Sequence, residues 1–135
     1  MDEIFADAFY WIALANPADQ WHDATKQYDE NNPDALLVTT EEVLIEFLNF
    51  YSEAGKQRRR IVGAMCEQVL LHPNIIVVSQ SHESFSQGLE LYRQREDKGH
   101  SLTDCISMTI CRERGIQEVL TNDHHFKQEG FTVLF

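Results

Sequence analysis

The chain has 135 residues, 43% of them hydrophobic and 24% charged, with 6 Gly and 3 Pro. That size fits a single domain, 1–135, with a sizeable core, and it excludes a disulfide-stapled miniprotein as well as a disordered tail. Eleven Lys and Arg against 22 Asp and Glu leave a net charge of −11, which argues against generic nucleic-acid binding through a basic surface.

Cys66, Cys105 and Cys111 form no C-x-x-C pair, so reduced thiols in a cytoplasmic protein are expected. The longest uncharged apolar run, Ala8 to Ala15, has eight residues, against the ~20 needed to span a bilayer. The acidic opening Met1-Asp2-Glu3 does not read as a secretory signal. A cytoplasmic protein without a membrane partner is the expectation.

In chain order, Ile4-Phe5-Ala6 reads as a first strand, and Ala8 to Leu14 as a helix broken at Asn16-Pro17. A further helix is expected over Ala18 to Asp29, before the turn Asn31-Asn32-Pro33-Asp34. Leu36 to Thr39 is a continuous apolar and β-branched run, as buried parallel strands are. Leu44, Phe47, Leu48 and Tyr51 then make a helical stripe, repeated by Val62, Met65, Cys66 and Val69 until Pro73. Ile75 to Val78 is the third strand. Phe85, Leu89 and Tyr92 mark a third stripe behind Ser81 as N-cap, and Ile106 with Ile110 a fourth, ended by Gly115. Glu118 to Thr121 and Phe131 to Leu134 complete five strands. Alternating strands and helices imply an α/β/α sandwich around a mainly parallel sheet.

Ligands of such sheets bind at the carboxyl ends of the strands. Asp7 follows the first strand, Glu46 lies two turns into the helix after the second, Asp104 opens a helix, and Asp123 follows the fourth strand. Singly, Asp7, Asp104 and Asp123 are explained as helix caps, Asp104 within the capping-box pattern Ser101-Leu102-Thr103-Asp104. Glu46 sits in a largely apolar turn, Val43-Leu44-Ile45 before it and Phe47-Leu48 after it. Jointly, four crowded carboxylates need protonation or a cation. A hard divalent ion answers that need and suits attack on a phosphodiester.

Phe5-Ala6-Asp7, Val38 to Phe47, Ser101-Leu102-Thr103-Asp104-Cys105-Ile106-Ser107 and Leu120-Thr121-Asn122-Asp123-His124-His125-Phe126 together resemble the PIN domain nucleases, VapC-type toxins among them. The resemblance covers almost the whole chain, and the spacing of nineteen residues from Asp104 to Asp123 is its most specific part. It implies a sheet in the order 3-2-1-4-5. It also implies an acidic quartet at Asp7, Glu46, Asp104 and Asp123 holding one or two Mg²⁺ or Mn²⁺ ions for RNA hydrolysis, with Thr121 in support. Further implications are a small antitoxin partner, whose basic residue could enter the acidic site, and a homodimer. One departure is Ala8-Phe9 after the first Asp, where the family usually carries Thr or Ser. That keeps a second reading open: a catalytically weak PIN-like module that binds RNA or protein.

Lys56-Gln57-Arg58-Arg59-Arg60 is the one basic cluster. Its default reading is a solvated helix start, and its functional reading is an RNA-backbone contact by Arg58, Arg59 and Arg60. His124-His125 read as exposed loop residues, His100 as one of several scattered histidines, and the aromatic cluster Phe9, Tyr10, Trp11 and Trp21 as core or dimer contact. A phospho-acceptor receiver domain ranks a distant third, since Ser79-Gln80-Ser81 and no Asp follow the third strand.

Overall fold

The computed structural model describes residues 2–135. β1 (Glu3–Ala6) leads into α1 (Ala8–Ala15) and α2 (His22–Asn31), and β2 (Leu36–Thr40) into α3 (Glu41–Phe50) and α4 (Lys56–Leu71). β3 (Ile75–Val78) precedes α5 (His82–Gln94) and α6 (Leu102–Arg114). β4 (Glu118–Leu120) precedes α7 (His124–Gln128) and β5 (Thr132–Val133). All pairings are parallel and the order is β3-β2-β1-β4-β5, as expected. Parallel strands need right-handed crossovers, which put α1–α4 on one face and α5–α7 on the other. The packing follows that division: α1 meets α2 and α3, while α5 meets α6 and α6 meets α7.

The sheet supplies Phe5, Val38, Val119 and Leu120, all fully buried, and the helices close over them with Val43, Phe47, Cys105, Met108 and Cys111. Among the described residues the three cysteines are free. α1 has no basic residue in its last turn, so other elements must satisfy its C-terminal carbonyls. The Tyr51 hydroxyl donates to the Ile12 carbonyl at 2.7 Å, His22 Nδ1 to Ala13 at 2.9 Å and Arg58 Nη1 to Ala15 at 2.6 Å. Three helices thus hold the end of a fourth.

Several boundaries differ from expectation for local reasons. α2 starts at His22 because the Asn16 and Asp19 side chains accept from the Ala18 and Trp21 amides, folding 16–21 into turns. β4 ends at Leu120 because the Thr121 amide turns back to the Val119 carbonyl. Asp123 caps an additional short helix, α7.

The α5 stripe is the clearest reversal. Phe85, Leu89 and Tyr92 are 46%, 38% and 49% exposed, and Gly88 and Leu91 are the buried residues of the helix instead. The reason lies at Gly88: a Cβ there would stand 2.4 Å from Ile106 Cγ1 and 3.2 Å from the Ile106 Cα. The missing side chain sets how closely α5 approaches α6. Gly88→Ala should therefore destabilise the fold by about 2 kcal/mol through overpacking, despite a helix-propensity gain of ~1 kcal/mol. Urea unfolding measures this, and an unchanged midpoint would show that the two helices part without cost.

Candidate active site

The chain runs β1 to β2 to β3 in one direction and then crosses back past β1 to β4. The switch point therefore lies between β1 and β4, at their carboxyl ends. Asp7 leaves β1 there as the N-cap of α1, and Asp123 leaves β4 as the N-cap of α7. One hydroxyl ties them together. Thr121 Oγ1, fully buried, donates to Asp7 Oδ2 at 3.0 Å and accepts from the Asp123 amide at 3.2 Å. The turn that ends β4 is what brings Thr121 to this position. The Asp7 carboxyl thus receives a hydroxyl from Thr121, although Ala8 follows it in the chain.

Asp104 sits at N3 of α6 in a complete capping box. Its Oδ2 accepts from the Ser101 amide at 3.1 Å, and Ser101 Oγ accepts from the Asp104 amide at 3.0 Å. Glu46 comes from the second turn of α3, a helix capped by the Thr40 hydroxyl on the Val43 amide at 3.0 Å. Glu46 is solvent-exposed, and so is Ile45 beside it. The apolar turn thus does not bury it as its sequence context suggested. α3 meets α6, which places Glu46 on the Asp104 side of the site.

Electrostatics binds the four into one group. Burial, then the charges of Asp104 and Glu46, push the Asp7 carboxyl up to about 7, against the opposing help of the Ala8 amide and Thr121 hydroxyl. Glu46, exposed as a residue but with its carboxyl partly shielded from water on the site side, is raised by that partial loss of water and then by Asp104 and Asp123. Burial raises Asp104 too, opposed by the Ser101 hydrogen bonds and reinforced by Asp123. A cluster that resists its own ionisation fits a divalent cation, whose charge would remove the conflict. The donor set is oxygen-rich, which suits Mg²⁺ or Mn²⁺. Among the described residues, the His/Cys/Asp/Glu set whose ligand atoms lie within 4.8 Å of one another is Asp123, His124 and His125.

Of the basic cluster, Arg58 is committed to the Ala15 carbonyl and Arg59 Nη1 to the Ser52 carbonyl at 2.7 Å. α1 is eight residues long, so Arg58 lies about 12 Å along its axis from Asp7. Glu129 and His100 were not singled out by the sequence, yet both are buried beside the site. Glu129 Oε2 accepts from Arg95 Nε at 2.8 Å and His100 Nε2 at 3.0 Å, and its Oε1 from Arg112 Nη2 at 2.9 Å. No spacing rule links positions 95, 100, 112 and 129, so only folding reveals the cluster.

A doubly wound α/β sandwich with an acidic cluster at its switch point defines the class of this protein. The PIN domain profile matches residues 4–131, and the chain belongs to the PIN domain family. It is 25% identical over 128 residues to the 23S rRNA-specific endonuclease VapC20 of Mycobacterium tuberculosis, in strains CDC 1551 / Oshkosh and ATCC 25618 / H37Rv, covering 95% of each chain. The crystal structure of M. tuberculosis VapC20, described as a Sarcin-Ricin loop cleaving toxin, matches with a TM-score of 0.84 at 24% identity, over 96% of both chains. That likeness establishes a shared fold. No helix among the described residues is long and apolar enough to cross a membrane.

Asp7 keeps its proton up to about pH 7 when folded, against an ordinary 3.8. Between those values the folded protein holds more protons than the unfolded chain, so stability is full below the lower value and falls as pH rises through the upper one. In chelator, the melting temperature should drop by several degrees from pH 5 to pH 8. Asp7→Asn, which still accepts from Thr121, should flatten that profile and raise the pH 8 value by about 5 °C. An identical profile in the variant, by differential scanning fluorimetry, would mean that Asp7 ionises normally.

Proposed function

We propose that this chain is a Mg²⁺- or Mn²⁺-dependent endoribonuclease, and that it is the cytoplasmic toxin of a toxin–antitoxin pair. The observation that carries this reading is the acidic cluster at the switch point: a buried Asp7 whose carboxyl is raised by burial and by the charges of Asp104 and Glu46, a conflict that a cation would relieve. Asp7, Glu46, Asp104 and Asp123 would hold one or two ions. When bound, the metal supplies positive charge against the scissile phosphate and makes a water molecule more acidic. Thr121 orients the Asp7 carboxylate. The capping box holds Asp104 in place, and either Asp104 or Asp123 takes the proton from the attacking water as general base.

The similarity to VapC20 supports RNA as substrate, and structured ribosomal RNA is the first to test, since that relative is named for 23S rRNA. The net charge of −11, reduced to about −9 or −7 by one or two divalent ions, fits a phosphate substrate reached through metal. Arg60 is exposed and makes no side-chain hydrogen bond among the described residues, so within Arg58–Arg60 it is the guanidinium best placed to flank an RNA backbone. A small antitoxin and a second copy of the chain are the expected protein partners, and the exposed Phe85, Leu89 and Tyr92 of α5 offer an apolar surface of the kind such partners cover. The alternative of a catalytically weak binding module rested on Ala8. The bond from Thr121 to Asp7 weakens that argument.

Cleavage of ribosomes and of purified ribosomal RNA should appear with Mg²⁺ or Mn²⁺ and disappear with chelator. Asp7→Asn and Asp104→Asn should each lower the rate by at least about 100-fold, with unchanged circular dichroism. Wild-type rates in both variants, or no cleavage with either ion, would overturn the assignment.

A further inference from the structure

Every polar group of Thr121 is engaged. Its hydroxyl serves Asp7 and the Asp123 amide, its own amide turns back to the Val119 carbonyl at 3.0 Å, and its carbonyl accepts from the Phe135 amide at 3.3 Å. That last bond reaches Thr121 from beyond α7. β5 ends at Val133, yet bonding to the β4 segment continues past it. The Leu134 amide donates to the Val119 carbonyl at 3.1 Å, and Phe135 then takes up Thr121. A turn that has left its strand has few ladder bonds of its own, and such segments open at low cost unless something outside holds them.

The Phe135 side chain goes elsewhere. Its ring centroid lies 5.6 Å from that of Phe9 and 6.4 Å from that of Tyr10, both on α1. It lies 6.5 Å from Trp21, the N-cap of α2, and 6.1 Å from Tyr28 within that helix. The Trp21 and Tyr28 pairs are edge-on, at 77° and 69°, a geometry in which rings attract beyond their buried area. Tyr10 in turn donates its amide to the Asp7 carbonyl at 3.0 Å. The main chain of Phe135 thus holds the turn that carries Thr121 and Asp123, while its ring holds the helix that Asp7 caps.

We propose that Phe135 is a positioning residue of the acidic cluster, clamping the Thr121 turn against α1 and so fixing Asp7 relative to Asp123. This deepens the ribonuclease reading above and rests on it for the consequence in rate. The two holds act on one gap, the space between the ends of β1 and β4 that the Thr121 hydroxyl spans. Displacement of a reacting group by about 1 Å can cost ~100-fold in rate, so a slack turn should be felt in turnover before it is felt in the fold.

Two measurements on the full chain test this. The first is amide hydrogen exchange by NMR, without metal or RNA. Phe135→Ala should speed exchange of the Asp123 amide, which the Thr121 hydroxyl holds, by at least about tenfold relative to amides of α4 and α5. Val69→Ala, a buried truncation on α4, should leave that ratio within about twofold. The second is steady-state cleavage of ribosomal RNA, each variant assayed equally far below its melting temperature. Phe135→Ala should lower kcat by at least about tenfold with KM within about twofold. Phe135→Leu, closer in volume, should recover most of the loss, and Val69→Ala should keep the wild-type kcat. The proposal is overturned by an unchanged exchange ratio in Phe135→Ala, by an equal rise in Val69→Ala, or by wild-type turnover in Phe135→Ala. A wild type that cleaves no RNA with either ion would remove the ribonuclease reading alone, and exchange at Asp123 would then decide the clamp by itself.

Discussion

The bond from the Thr121 hydroxyl to the Asp7 carboxyl, 3.0 Å long and buried, joins residues 114 positions apart. It closes the switch point between β1 and β4, and the rest of the site is arranged around it. Because the same oxygen accepts from the Asp123 amide, one side chain sets the relative positions of two acidic residues. It also fixes an unfavourable situation. Asp7 is held where water is scarce and where Asp104 and Glu46 already carry charge. Packing of the sheet maintains that conflict.

Two carboxylates with little exposed side chain, Asp7 and Glu129, have opposite fates, and the contrast explains both. Asp7 meets an amide, a hydroxyl and other acids, and its proton is retained to about 7. Glu129 meets two guanidinium groups and an imidazole, and its proton is lost down to about 2. Burial acts in the same direction on each, so the partners decide. Glu129 has its cations supplied by the chain and is structural. Asp7 lacks one, which is the physical signature of a residue awaiting a ligand.

Much of the fold was legible because it follows from local runs. Leu36 to Thr39 and Ile75 to Val78 are continuous apolar and β-branched runs, and they form β2 and the edge strand β3; the turn residues between helices are equally plain. The places of Asp7, Asp104 and Asp123 in the fold were legible for the same reason, since each follows a strand or opens a helix, whereas Glu46 lies in the second turn of α3 and its apolar neighbours misled about its burial. What was not legible depended on three dimensions. The α5 stripe looked like a core face, but Gly88 turned that helix toward α6 and left Phe85 and Tyr92 outside. Arg58 looked like surface charge and proved to hold the end of α1. His100 and Glu129 are 29 positions apart and carry no motif. Their importance exists only once α6 and α7 are packed together.

The length of α1 has a consequence for when the site can exist. Eight residues fall below the ~12–15 at which an isolated helix becomes even marginal in water. Its amino end carries Asp7, and its carboxyl end is held by side chains from α2, α3 and α4. No fragment containing Asp7 alone can present that carboxylate in position. A nascent or partly unfolded chain carries four separated acids on a polymer, and assembly of the acidic cluster coincides with closure of the whole domain.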